Sequence, residues 1–367
     1  ENISQVVAAR SGKDLQTSID MRLQYITYRS LSKAIKHHGA KSGSAVLLDA
    51  RTGEILAIAN QPSYNPNQHK NKSAAARRNR AVTDVFEPGS TIKPFTLAAA
   101  LDRNLYNLKS HINTAPGYMK VTGYPIRDFR NYGVLDLAGI LRKSSNVGAS
   151  KVALSMKPEQ LWQSYKDYGF GEPTGISFPA SSPGYFSDYN DWQPLDHATM
   201  AFGYGVSVST LQLARSYSVF ANGGKIQPVS LLKLDEPQQA TQVMKSSTAK
   251  KVLEMMEQVV GPDGSAKQAA ITGYRVAGKT GTARKSTAGG YLEDTYTSVF
   301  AGVVPVSNPR LVMAVMIDEP TKNGYYGGQV AAPVFKDVLT HALRLMNISP
   351  DNLKASLQMA KSKGQVL

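Results

Sequence analysis

A serine and a lysine stand three residues apart in Glu87-Pro88-Gly89-Ser90-Thr91-Ile92-Lys93, just ahead of the apolar run Phe95-Thr96-Leu97-Ala98-Ala99-Ala100-Leu101. A serine hydroxyl is a weak nucleophile until a neighbouring base removes its proton. Three residues along a helix bring two side chains to one face, which sets Lys93 beside Ser90. Two more polar motifs follow in chain order, Ser144-Ser145-Asn146 and Lys279-Thr280-Gly281-Thr282. Each occurs by chance in a basic, serine-rich chain, so it is their order and contexts that carry weight.

The residue types assign each motif a task. Lys93 works as a base only when neutral, and burial plus a second cation lowers a lysine pKa. Lys279 is the candidate for that cation. Ser144 brings a hydroxyl that can pass a proton onward, and Asn146 a donor and an acceptor for a peptide amide. Residues Lys279 to Thr282 read as part of a strand, and at Gly281 its edge carries no side chain. An extended peptide can pair along such an edge, its C-terminal carboxylate meeting Lys279, Thr280 and Thr282. Pro94 fixes where the nearby helix begins. Inside a helix it would remove a hydrogen bond and clash, whereas in the first turn no partner is needed. The helix therefore starts at or just before Ser90, its free N–H groups close to the developing charge.

The elements that must hold these motifs can be read from patterning. Asp20 caps a helix carrying Leu23, Ile26, Leu31, Ala34 and Ile35, which ends near His37-His38-Gly39. The paired histidines read as a helix end with a favourable dipole interaction, in preference to metal ligands. Ser44–Asp49 and Glu54–Ala59 flank Ala50-Arg51-Thr52-Gly53 as a β-hairpin. From about Asn104 to Tyr204 the pattern is mostly helical, with Leu135–Leu154 carrying the Ser144 motif. Strands are predicted at Tyr274–Arg284, Thr295–Val304 and Leu311–Ile317, followed by a helix over Ala332–Met346 entered by Pro333. Strands at both ends with helices between them imply an α/β layered domain with an antiparallel sheet. Residues 1–17 read as a linker or remnant of an upstream domain, 18–350 as one domain, and 351–367 as a polar, frayed tail.

Composition narrows the function classes. The 367 residues are 42% hydrophobic and 19% charged, as in a globular protein, and contain no cysteine. Disulfides, thiolate metal sites and a cysteine nucleophile are thereby excluded. No zinc spacing or phosphate-binding glycine loop is present, and no metal or cofactor is expected. Net charge is +15, and His69, Lys70, Lys72, Arg77, Arg78 and Arg80 form a basic cluster read as a solvated loop, with no nucleic acid as partner. A positive surface also suits anionic cell-wall polymer or lipid headgroups. No apolar run approaches the roughly 18 residues that span a bilayer. The chain begins Glu1-Asn2-Ile3 without an initiator Met, as a trimmed or processed piece would.

With the motifs in place, the chain resembles the transpeptidase domain of a class B penicillin-binding protein, most of all the septal, division-specific type of Gram-negative bacteria. The segments that carry the resemblance are Leu48–Ala57, Arg80–Ser90, Lys143–Gly148, Phe202–Gly205 and Tyr325–Gly328, within residues 18 to 350. The resemblance implies the penicillin-binding-protein/serine β-lactamase-like fold, a central antiparallel sheet flanked by helices with a helical subdomain. It implies that Ser90 attacks the D-Ala–D-Ala bond of a peptidoglycan stem peptide and that a neighbouring strand's amine takes the acyl group. Lys93 would be the base, Ser144 with Lys279 would carry protons to the leaving amine, and Asn146 would hold the donor's amide. Backbone N–H groups of Ser90 and Thr282 would form the oxyanion hole, and Tyr204, Tyr325 and Tyr326 would line the cleft. β-Lactam antibiotics would acylate Ser90, divisome membrane proteins would be partners, and the site of action would be the periplasmic face of the inner membrane. Two features depart from the family. Thr210-Leu211 stands where Thr-Pro is common, with no catalytic effect expected, and the linker from Arg284 to Asp294 is rich in Gly and Ser.

Three rivals share the motifs. A class A β-lactamase needs a deacylating glutamate in a Glu-x-x-Leu-Asn context between the second and third motifs. Glu159-Gln160-Leu161-Trp162 and Glu172-Pro173-Thr174-Gly175 do not match it. A sensor acylated once by antibiotic and a D,D-carboxypeptidase would carry identical motifs, and the choice of acceptor separates them from a transpeptidase.

Overall fold

The computed structural model describes residues 10–67, 74–287 and 290–352. Its first helix, α1 (Met21–His38), is capped by the Asp20 carboxylate, which accepts from the Arg22 and Leu23 amides. It ends where Gly39 takes the left-handed conformation at φ 55° and donates to the Ile35 and Lys36 carbonyls. Strands β1 (Ser42–Asp49) and β2 (Ile55–Gln61) form the expected hairpin, with Asp49 accepting from the Arg51 and Thr52 amides at the turn. Beyond two single-turn helices, Ala74–Arg77 and Arg80–Thr83, comes α2 (Lys93–Asp102), buried at every residue but the last. A helix buried on all sides belongs at the centre of a domain, and Phe95 there packs among Tyr168, Phe170, Tyr217 and Phe220.

A short hairpin, β3 (Tyr118–Val121) and β4 (Tyr124–Arg127), precedes α3 (Leu137–Lys143) and α4 (Asn146–Leu154). Then follow α5 (Thr210–Ala221), α6 (Ser246–Val260), β5 (Ala277–Thr287), β6 (Gly290–Val304), β7 (Leu311–Asp318) and α7 (Ala332–Leu345). One antiparallel sheet runs in the order β5-β6-β7-β1-β2, so strands from the two ends of the chain meet at β7 and β1. Its two faces are told apart by neighbours in β1. Gly43 faces Ile35 of α1, and Ser44 bonds Thr210 of α5 at 2.6 Å. The register sets Lys279 opposite Ala301, Ala314 and Val46 in turn, hence on the α5 face of the sheet. That parity is why the third-motif lysine points inward.

Several expectations need correction. The stretch 104–204 contains short strand pairs, His111–Asn113 with Val134–Asp136 and β3 with β4, where helix was expected. The helix over 135–154 is broken at Ser144. The Gly- and Ser-rich linker of 284–294 continues the hairpin β5–β6, with a register shift between Arg284 and Ser286, while 288 and 289 lie outside the described residues. In the basic cluster, Arg80 is buried and donates to the Ala75 carbonyl at 2.7 Å. Arg78 pairs with Asp84 at 2.8 Å, and His69, Lys70 and Lys72 lie outside the described residues. His38 is buried, and burial pushes its imidazole below the ordinary range, which weakens the dipole reading. The packed body reaches Gln16, whose carbonyl accepts from the Lys233 amide, and Asn352, whose amide donates to Gly273. The remainder of the expected tail, 353–367, lies outside the described residues, as do residues 1–9 of the expected linker.

Candidate active site

Ser90 sits in a 3₁₀ turn, Gly89–Ile92, that runs directly into α2, with Pro94 in the first turn of that helix. In a 3₁₀ turn residues three apart eclipse, so Ser90 and Lys93 leave the turn on the same side. The turn is fixed by Thr91, whose hydroxyl donates to the Pro88 carbonyl at 2.7 Å, and by Tyr217, whose hydroxyl donates to the Thr91 carbonyl at 2.7 Å. Two glycines let neighbouring backbone close on it. A Cβ at Gly203 would overlap the Gly89 carbonyl, and one at Gly281 would overlap that of Pro88. The amide nitrogen of Thr282 faces Gly89 across this gap.

The second motif is a helix break. Ser144 ends α3 in the left-handed conformation, φ 55°. For a non-glycine residue that conformation costs about 1–2 kcal/mol and persists where the surroundings dictate it. Ser145 then caps α4, accepting from the Gly148 amide at 2.8 Å. Its own hydroxyl donates to Asp128 Oδ2 at 2.6 Å, and Asp128 Oδ1 accepts the amides of Asn146 at 2.5 Å and Val147 at 3.0 Å. Asp128 follows β4 directly, so a carboxylate from the small hairpin clamps the start of α4.

The two lysines converge on this break. Lys93 Nζ donates to the Ser144 carbonyl at 2.6 Å, to Asn146 Oδ1 at 2.7 Å and to Ser144 Oγ at 3.2 Å. Lys279 Nζ reaches the same hydroxyl at 3.0 Å and the Thr280 carbonyl at 3.1 Å. Both side chains are fully buried. Burial and the neighbouring Lys279 push Lys93 well below the ordinary lysine range, while Asp128 pulls it upward. Burial alone lowers Lys279 to about 7. A buried amine whose charged form is disfavoured is a base at neutral pH. The hydrogen-bond partners of Lys93 lie in the second motif and do not include Ser90 among the described residues, which corrects the simple picture of a Ser90–Lys93 pair.

Above the lysines a cavity of about 470 Å³ brings together Ser90, Ser144, Asn146, Thr280, Thr282 and Tyr326. Thr280 Oγ1 lies 3.1 Å from Ser265 Oγ, and Thr282 Oγ1 accepts from the Gly327 amide at 3.0 Å. Asn146 Nδ2 donates to the Arg127 carbonyl at 3.0 Å, which orients the amide. No carboxylate lines this cavity among the described residues. Tyr325 stacks on Tyr296 at 4.3 Å, and Tyr204 packs against Tyr291 at 5.2 Å; neither lines the cavity. Asp188 and Asp196 accept the Asn190 and Gln193 amides and serve as local caps.

Two acidic residues take on roles that the sequence does not assign them. Asp128 belongs to no motif and is brought to Ser145 only by the fold. Glu87 is adjacent to the first motif and accepts from the Gly205 amide at 3.0 Å and the Tyr291 hydroxyl at 3.1 Å, with burial pushing its carboxyl up. The Glu-Pro-Gly-Ser context was its one available signal.

The family described as the penicillin binding protein transpeptidase domain matches residues 43–340. The chain is 45% identical over 351 residues to the probable peptidoglycan D,D-transpeptidase PbpC of Pseudomonas aeruginosa, covering 96% of this chain and 62% of that protein. It is 44% identical over 345 residues to peptidoglycan D,D-transpeptidase FtsI of Escherichia coli, covering 94% and 58%. The chain thus spans about three-fifths of the length of these relatives. Among solved structures, the TP domain of Burkholderia pseudomallei penicillin-binding protein 3 superposes with a TM-score of 0.85 at 41% identity, covering 92% of this chain and 98% of that one. A buried lysine pair meeting at a serine, on this sheet and with this match, leads to one conclusion: the chain belongs to the penicillin-binding protein transpeptidase family, on the class B branch with the FtsI and PenA proteins.

Proposed function

We propose that this domain is a serine D,D-transpeptidase that cross-links peptidoglycan stem peptides during septal wall synthesis and is covalently inhibited by β-lactams. The observation that carries this reading is the meeting of two fully buried lysines at Ser144 Oγ, 3.2 Å from Lys93 and 3.0 Å from Lys279. Neutral Lys93 removes the Ser90 proton, directly or through Ser144, as Ser90 Oγ attacks the penultimate D-alanyl carbonyl. The amides of Ser90 and Thr282 receive the oxyanion, each such donor contributing about 3 kcal/mol in comparable acyl transfers. Ser144, backed by Lys279, hands a proton to the departing D-alanine amine. Asn146 holds the donor's amide, and Lys279, Thr280 and Thr282 hold its carboxylate.

An acceptor amine then displaces Ser90 from the acyl group. The absence of a carboxylate among the described residues lining the cavity favours amine over activated water as acceptor, and speaks against a lactamase. Such a substrate lies outside the cytoplasmic membrane, so the domain works on the periplasmic face of the inner membrane beside divisome membrane proteins. No helix among the described residues is long and apolar enough to cross a membrane. The test is intact-mass detection of a penicilloyl adduct, mapped by proteolysis. The adduct is expected on Ser90 and absent from Ser90→Ala; undiminished labelling of that variant would remove Ser90 from the role.

A further inference from the structure

A second cavity, about 230 Å³, opens off the active-site cleft on the Ser144 side. It shares Phe129, Tyr132, Lys143, Gly264 and Ser265 with the cleft and adds Arg130, Arg142 and Asp263. Three of its walls are cationic. Arg130 is held over the Tyr132 ring, 5.5 Å from its centroid. Arg142 and Lys143 end α3, immediately before Ser144. No carboxylate lies within ion-pair distance of Arg130, Arg142 or Lys143 among the described residues, and Arg142 Nε is buried without a hydrogen-bond partner. Arg142 and Lys143 are half-buried and Arg130 is exposed. Half-buried cations normally find an internal acceptor, so two beside one cavity, with the exposed Asp263 as the cavity's one acid, leave it short of negative charge.

The place of this cavity follows from the chemistry of the transfer. In acylation the leaving amine takes its proton at Ser144. By microscopic reversibility the incoming amine must occupy the same position, lose its proton along the same path and attack from the Ser144 side. The acceptor's nitrogen forms the new amide bond, the Ser90 ester C–O bond breaks, and the amine proton passes through Ser144 to Ser90 Oγ. The rest of the acceptor strand then lies over the surroundings of Ser144, where the adjacent Lys143 borders both the cleft and this cavity. Resting on the transpeptidase reading above, we propose that the pocket of Arg130, Arg142 and Lys143 is the acceptor-strand subsite and binds a carboxylate carried by that strand beyond its reacting amine. Phe129, 87% exposed at the rim, offers an apolar face for the backbone between amine and carboxylate.

A structural role is available to two of these cations, since positive charge in the last turn of a helix favours its dipole. That role would alter stability and leave acceptor choice alone. The experiment therefore measures choice. The domain is acylated with a synthetic D-alanyl thioester donor, acylation is confirmed by intact mass, and aminolysis is compared with hydrolysis for two acceptors. These are D-2-aminoadipate and its side-chain amide, which share the amine and α-carboxylate and differ in one remote charge. The unmodified domain is expected to transfer to the acid about fivefold better than to the amide, the scale of a solvent-accessible ion pair. Arg142→Gln and Lys143→Gln should each shrink that preference, and Arg142→Lys should restore part of it. If Arg142→Gln does not fold, Lys143→Gln, on a half-exposed side chain, carries the test. Equal transfer to acid and amide by the unmodified domain, or an unchanged preference in Lys143→Gln, would overturn the subsite. Absence of any acyl adduct on Ser90 would instead overturn the transpeptidase reading and the subsite with it.

Discussion

Lys93 donates to the backbone carbonyl of Ser144 at 2.6 Å, and that carbonyl is turned toward it because Ser144 holds a left-handed conformation, φ 55°. With the Ser144 hydroxyl and Asn146 Oδ1 the amine faces three acceptors, matching its three protons when charged. Once a proton is lost, one site becomes a lone pair facing a hydroxyl. The break in the helix thus builds the socket in which a lysine changes role from donor to base.

Acylation by penicillin is expected to accelerate with rising pH, because the active form of Lys93 is the neutral one and its pKa is depressed. The rise should level off well below the ordinary lysine value. Lys93→Arg cannot supply a neutral base and should slow acylation by about 10²–10⁴-fold. Adduct formation followed by mass at several pH values checks both, and near-normal acylation by Lys93→Arg would assign the base elsewhere.

Lys279→Ala removes the cation that helps depress Lys93, so Lys93 should move up and the acid limb of the acylation profile toward higher pH. The same variant should weaken ligands with a free C-terminal carboxylate by about tenfold or more, and their amides far less. Equal losses for acid and amide would leave Lys279 a structural role only.

Asp128→Asn should do the opposite to the pH profile. The carboxylate raises the Lys93 pKa, so its loss should lower that pKa further and shift the acid limb toward lower pH. It also weakens the clamp on Ser145, Asn146 and Val147, at a stability cost of about 1 kcal/mol. Thermal unfolding measures the second effect. A stability loss with an unmoved pH profile would make Asp128 a cap and nothing more.

The penicilloyl adduct should persist after free drug is removed. No carboxylate lines the cleft among the described residues, and Glu172 is engaged in an ion pair with Lys166. Adduct mass followed in drug-free buffer is the measurement; loss within seconds over repeated turnovers would indicate a hydrolase.

The sequence by itself determined the chemistry and the local frame. Pro94 in a first helical turn and the β1–β2 hairpin are dictated by near neighbours, and the Pro-Gly turn at Ser90 is legible locally although Tyr217 completes it from a distance. The inward direction of Lys279 was not legible, because it depends on the register of β5 against β6, β7 and β1, strands separated by most of the chain. Nor was the left-handed turn at Ser144: Ser-Ser-Asn is a run that favours caps, but the partners that hold the break, Lys93 and Asp128, lie 51 and 17 positions away. Asp128 and the pocket of Arg130, Arg142 and Lys143 carry no motif. Their effect rests on distance in space, since Coulomb energy varies inversely with separation and with the local dielectric, and only the packed fold sets both.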